Sequence, residues 1–140
     1  MILAALALAF GQLFTCEVVS VHDGDSLRCA DGTRVRLQGV DANELDGSCH
    51  FSCAAQSARW AQANLAELAL NKRADCISTG KSYRRVTAWC TVARTDLSCA
   101  QVSSGAAVVW ARFDPDNRLL PCELNWRRIR DSAKPRGGPR

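Results

Sequence analysis

Alternation of apolar and polar positions marks out three strands early in the chain. Residues 16–21 (CEVVSV) are rich in β-branched side chains and predict a strand, His22-Asp23-Gly24 predicts a tight turn, and 25–30 (DSLRCA) predicts a second strand. Asp31-Gly32 is a hairpin signal. Across 33–40 (TRVRLQGV), Val35 and Leu37 are apolar with arginines between, which predicts a third strand and completes a β-meander.

The period then changes. Ala54, Ala58, Ala61, Leu65 and Leu68 recur every three or four residues and predict one amphipathic helix. Residues 73–78 and 86–92 return to strand patterns around a turn expected at Gly80-Lys81-Ser82-Tyr83. A short helix is expected over 96–103, capped by Asp96 and ended by Gly105, and a last one over 120–129. Five strands, the first three contiguous, with about three helices, predict an α+β fold: a five-stranded OB-type Greek-key β-barrel.

The chain has 140 residues, 47% apolar and 23% charged, which suits one globular domain and excludes a disordered chain. The net charge of +4 is uneven: residues 127–140 carry +5 and the remainder −1. This basic end reads as a solvated tail, or as a weak, salt-sensitive grip on nucleic-acid phosphates. Residues 1–10 (MILAALALAF) form an unbroken apolar run with small-x-small sites at Ala5-Leu6-Ala7 and Ala7-Leu8-Ala9, so 1–14 reads as a signal peptide without a leading Lys or Arg. The competing reading is a buried first strand. The run is too short for a stable membrane span. The expected organisation is signal peptide 1–14, folded domain 15–130 and basic tail 131–140.

Eight cysteines fit either metal sites or disulfides, depending on compartment. Only Cys49 and Cys53 have zinc-like spacing, and no second pair accompanies them. Cys16 and Cys29 lie symmetrically about the first turn, and Cys76 and Cys90 about Tyr83, so each pair is expected to bridge a hairpin. That leaves Cys49 with Cys53 and Cys99 with Cys122. A disulfide-stabilised, secreted or periplasmic monomer is the expectation.

The chemistry concentrates in residues 19–44, VSVHDGDSLRCADGTRVRLQGVDANE. In a meander, the start of strand two and the end of strand three share one end of the sheet. Asp25 and Asp41 therefore converge, with Glu44 on the loop beyond and Arg36 in the third strand. Converging carboxylates repel unless a positive charge is present. A hard cation such as Ca²⁺ accepts such oxygen ligands, and arginines suit an anionic, phosphate-bearing substrate. Taken singly, DGD reads as a hairpin turn and VDANE as a helix start; the combination carries the signal.

The pattern DGDS-(x)9-RLxGVDxxE resembles the first signature of the staphylococcal nuclease (thermonuclease) family, and Tyr83-Arg84-Arg85 ahead of a strand is similar to its second. The likeness spans roughly residues 15–115. It implies Asp25, Asp41 and the Ala42 carbonyl as Ca²⁺ ligands, with Asp23 nearby but not a main ligand. It implies Glu44 as general base, Arg36 and Arg85 on the phosphate, and Tyr83 near the bound nucleotide. Arg84, which replaces a family glycine, is expected to add to substrate binding. Ser26 replaces a threonine, and Asn43 replaces a proline that stiffens the loop. The implied activity is Ca²⁺-dependent hydrolysis of DNA and/or RNA with little sequence specificity, leaving 3′-phosphates. The alternative is a non-catalytic OB-fold module that binds nucleic acid. Trp60, Trp89, Trp110 and Trp126 read as packing residues rather than a stacking platform.

Overall fold

A computed structural model describes residues 11–46 and 57–133. The meander consists of β1 (Leu13–Val21), β2 (Ser26–Cys29) and β3 (Arg34–Leu37), followed by the short β4 (Val40–Asp41). Helix α1 (Ala58–Ala69) leads to the long hairpin β5 (Arg73–Ser82) and β6 (Arg85–Val92). Strand β7 (Thr95–Asp96), helix α2 (Leu97–Ser103), strand β8 (Val108–Val109), a 3₁₀ turn (Ala111–Phe113) and helix α3 (Leu120–Ser132) complete the order.

The main sheet runs β3-β2-β1-β5-β6-β7, and a parallel pairing of β3 with β6 closes it on itself. Five strands (β1, β2, β3, β5 and β6) thus form a closed barrel of the expected OB type. Closure removes the exposed edges that an open five-stranded sheet would present. Strands β4 and β8 make a separate two-stranded ribbon, with Asp41 opposite Val108.

Side-chain alternation explains the core. Val18, Leu27, Cys29, Val35, Leu37, Ala88 and Cys90 point inward and are buried, and Leu65, Leu97 and Val102 from the helices pack with them. The helical stripe is buried at Ala61 and Leu65 as expected, while Ala69 takes the third buried position and Leu68 is half-buried beside it. Ser57 caps α1 by accepting the Trp60 N–H, and Asp96 caps α2 by accepting the Cys99 N–H, as its sequence position predicts. Ala54 lies outside the described residues.

Three of the expected bridges are formed: Cys16–Cys29 across β1 and β2, Cys76–Cys90 across β5 and β6, and Cys99–Cys122 between α2 and α3. Each stabilises a domain of this size by about 2–4 kcal/mol. Cys49 and Cys53 lie outside the described residues.

Several boundaries differ from expectation: β3 ends at Leu37 instead of Val40, and α3 runs on to Ser132. Strand β1 starts at Leu13, which pairs with Ile77, inside the stretch assigned to the signal peptide. The β5–β6 turn falls at Tyr83-Arg84, not at Gly80-Tyr83. Gly80 instead sits at a register shift in β5, where the bulge uses its φ of +158°. Among the described residues, no helix is long and apolar enough to cross a membrane.

Candidate functional site

The site forms where the β1–β2 turn meets the loop after β4. Asp25 closes the turn, and its carbonyl accepts the Leu37 N–H at 2.8 Å, tying the turn to β3. Asp25 and Asp41 are both about 1% exposed, and Asp23 is 4% exposed. Burial this deep demands compensating partners.

Arg36 is the main one. Its Nη2 lies 3.3 Å from an oxygen of Asp25 and 3.3 Å from one of Asp41. Its Nη1 donates to the Val40 and Leu37 carbonyls at 2.8 and 3.2 Å. The backbone N–H of Ala42 donates to Asp25 Oδ2 at 2.9 Å. Asp25 Oδ1 is buried with no hydrogen-bond partner. Burial pushes the Asp25 carboxyl above its ordinary pKa, while Arg36 and the Ala42 N–H oppose the rise.

Glu44 joins from the loop. Carboxylate oxygens of Asp23, Asp25 and Glu44 lie within 4.8 Å of one another. Burial, a hydrogen bond with Asp23 and the charges of Asp23 and Asp25 push Glu44 up to about 8. Asp23 also accepts the Leu45 N–H at 3.3 Å, which ties the loop to the turn, and lies 3.5 Å from the exposed His22.

These contacts gather most of the residues picked out from the sequence: Asp25, Arg36, Asp41, Ala42 and Glu44. Asp23, expected to be peripheral, supplies one of the three closely grouped carboxylates. The Asp41 carboxylate instead faces Arg36. Arg85 opens β6, and the pairing of Val35 with Val86 sets it beside Arg34, on the outward face that Arg36 also shares. Tyr83 and Arg84 form the exposed hairpin turn just before it, with Tyr83 95% exposed and at a φ of +57°.

A buried clamp behind the turn went unread in the sequence. Gln101 of α2 is fully buried; its Nε2 donates to the carbonyls of Gly24 and Ala61, and its Oε1 accepts from Asn64 at 2.6 Å. Gln62 Nε2 donates to the Val21 and His22 carbonyls on the same turn. Gly24 lies so close to α1 that a Cβ there would meet the Ala61 Cβ at 2.5 Å. The available signal was the position of Gln101, four residues after Leu97 on the apolar face of α2. Of the tryptophans, Trp89 lies under the Arg118 guanidinium and Trp110 packs edge-on against Phe113.

An all-oxygen, partly unsatisfied carboxylate group beside a fixed guanidinium suits a hard divalent cation and an anionic ligand. No protein-family model matches the chain, and no curated protein matches it significantly.

Proposed function

We propose that this protein is a Ca²⁺-dependent phosphodiesterase that hydrolyses DNA and/or RNA. The observation that carries the reading is the joint placement of Asp23, Asp25 and Glu44 around one point, with Arg36 held against Asp25 and Asp41. The buried, unpartnered Asp25 Oδ1 is an acceptor that a bound cation would satisfy. Asp25 and Asp23, grouped with Glu44, are the side chains suited to hold it, and the likeness adds Asp41 and the Ala42 carbonyl. The signature likeness to the staphylococcal nucleases supports the same assignment.

Each residue has a role set by its surroundings. When bound, the cation would supply Lewis-acid stabilisation of charge developing on the phosphoryl group. Arg36 and Arg85 present guanidinium donors to the same charge, and preorganised donors of this kind usually make the largest contribution to catalysis. Glu44, partly exposed, can reach solvent and take the proton of an attacking water. Its raised pKa keeps it protonated in the cation-free protein near neutral pH, and a positive charge beside it would favour the ionised, basic form. Among the described residues no base-reading element is evident, so little sequence preference is expected. The likeness implies 3′-phosphate products.

Three disulfides point to an oxidising compartment. Together with the apolar start of the chain, they support export to the periplasm or the exterior. Digestion of single-stranded DNA in Ca²⁺, then in excess EGTA, tests the proposal. Cleavage that EGTA abolishes is expected. Binding without cleavage would favour the alternative OB-fold binding module.

A further inference from the structure

Register places three arginines side by side on the outer face of the barrel. Arg28 of β2 is directly opposite Arg34 of β3. Val35 pairs with Val86 in the parallel β3–β6 ladder, so Arg34 is flanked on its other side by Arg85. Inward positions alternate with these: Leu27, Cys29, Val35 and Leu37 are buried, whereas Arg28 and Arg34 are exposed. The next row on the same face is Ser26, Arg36 and Thr87, two residues along each strand. The arginine row therefore stands about 6.7 Å from the row that carries Arg36, and crosses about 10 Å of sheet.

Like charges placed directly opposite each other destabilise a sheet. Among the described residues, no acidic side chain pairs with Arg28, Arg34 or Arg85. The nearest acid on the hairpin, Asp31, turns back to accept the Thr33 N–H. By contrast, Arg73, Arg118 and Arg127 each sit against an acid, Asp75, Asp96 and Glu123. The row is an unneutralised strip that begins at the site and leads away from it along the β2–β3 hairpin.

We infer that Arg28 and Arg34 extend the site into a track for the sugar–phosphate backbone of a single-stranded polynucleotide, holding one or two phosphates that flank the bond at Arg36 and Arg85. The row's offset suits an extended single strand, since an unstacked nucleotide can span it. Two exposed, unpaired guanidiniums grip phosphate without reading bases. The track selects polymers over single phosphodiesters. This rests on the phosphodiesterase reading, which it deepens from a reaction to a substrate class.

The test measures binding and cleavage separately. The probe is a labelled oligothymidylate of about ten nucleotides, within the range of one OB-type site, bound in EGTA across a salt series. The doubly substituted Arg28→Ala/Arg34→Ala protein should bind it about 3- to 10-fold more weakly at low salt, in line with the removal of two exposed charges. Its salt slope should be shallower by about 0.7 to 1.4, because each of the one or two phosphates that the arginines neutralise on a single strand adds about 0.7 to the slope. Hydrolysis of bis(p-nitrophenyl) phosphate in Ca²⁺, which offers a single phosphodiester, should be unchanged. Arg28→Lys/Arg34→Lys should recover most of the binding.

The control removes Lys72 and Arg94, at the opposite end of the β5–β6 hairpin. An equal loss of binding there would overturn the track in favour of general charge attraction. So would wild-type binding by the Arg28→Ala/Arg34→Ala protein. If the wild type cleaves neither substrate but binds the oligonucleotide through Arg28 and Arg34, the track stands and the catalytic reading falls.

Discussion

Gln101, on α2, donates its side-chain N–H to the Gly24 carbonyl at 2.7 Å, although 77 residues separate them. Gly24 is the centre of the turn between Asp23 and Asp25. The amide thus fixes the backbone that sets the spacing of two carboxylates, and it does so from a fully buried position with both its ends satisfied. Gln101→Leu keeps the bulk and leaves buried carbonyls unpaired, at a cost of about 1–3 kcal/mol. The variant should melt several degrees lower yet remain folded at room temperature, and its Ca²⁺ affinity, measured by calorimetry, should fall. An unchanged affinity in the folded variant would make Gln101 a packing residue only.

The same turn predicts the effect of Gly24→Ala. The added methyl would meet the Ala61 Cβ at 2.5 Å and the Ala42 Cβ at 3.0 Å. Neither neighbour is a flexible side-chain end, so the turn must move away from α1. We expect weaker Ca²⁺ binding than in wild type, and recovery of part of it in Gly24→Ala/Ala61→Gly, which opens the space. A single variant with full affinity would show that the turn tolerates displacement.

The barrel was legible because each of its strands keeps a period of two over several residues, as in Val35 and Leu37 against Arg34 and Arg36. Convergence of Asp25 and Asp41 followed from the meander alone. Other features depend on contacts that no local pattern carries. Gln101 meets backbone atoms of Gly24 and Ala61, which leave no mark in composition. Asp23 was readable as a turn residue, but its place among the carboxylates depends on how Glu44 folds back over the turn. Gly80 resembles a turn glycine because bulges and turns draw on the same conformational freedom. The start of β1 was hidden because an apolar leader and an apolar strand read alike; Leu13 and Phe14 are paired with Ile77 and Cys76.

That pairing makes a prediction for processing. Removal of residues through Phe14 would strip two pairs from β1 and expose the β5 edge opposite them. On the export reading proposed above, the mature protein should therefore begin at or before Gly11, whose N–H donates to the Ser78 carbonyl. N-terminal sequencing of protein recovered from the medium or periplasm checks this; a start at Thr15 would mean that the first residues of β1 are dispensable there.

Glu44 predicts a pH dependence. Its pKa of about 8 in the folded, cation-free protein exceeds the ordinary carboxylate value. Between those two values the folded state holds a proton that the unfolded state lacks, so this group makes stability fall as pH rises from about 4.5 to 8. Glu44→Gln removes the titration and should flatten that part of the melting-temperature profile. At pH 7, Ca²⁺ binding to the wild type should release most of a proton, seen as a buffer-dependent enthalpy, and the variant should release less. Its turnover should drop about 10²- to 10⁴-fold, as expected for loss of a general base. Retained activity would remove Glu44 from the mechanism.

Arg36 and Arg85 are expected to share one catalytic purpose but differ in what else they hold up. Arg36 is 6% exposed and is the counter-charge of both Asp25 and Asp41. Removing one member of a buried charge set leaves the rest uncompensated, at a cost of about 3–5 kcal/mol. Arg36→Ala should therefore be strongly destabilised. Without the Arg36 charge that opposes it, the rise in the Asp25 pKa should be larger, so the variant should recover stability as pH falls through the Asp25 titration range. Saturating Ca²⁺ should also raise its melting temperature more than that of the wild type, because the ion would replace the missing charge. Arg85 has no acidic partner among the described residues and is only half-buried. Arg85→Ala should keep the wild-type melting curve while turnover falls about 10³-fold, the loss expected for one charged donor aimed at the reacting group. Thermal melts at pH 5 and 8, with and without Ca²⁺, beside initial rates on single-stranded DNA, separate the two. If Arg36→Ala melts like the wild type at pH 8, the carboxylates do not depend on it. If Arg85→Ala retains full activity, Arg85 does not act on the reacting phosphate, and the second guanidinium must come from elsewhere on the arginine face.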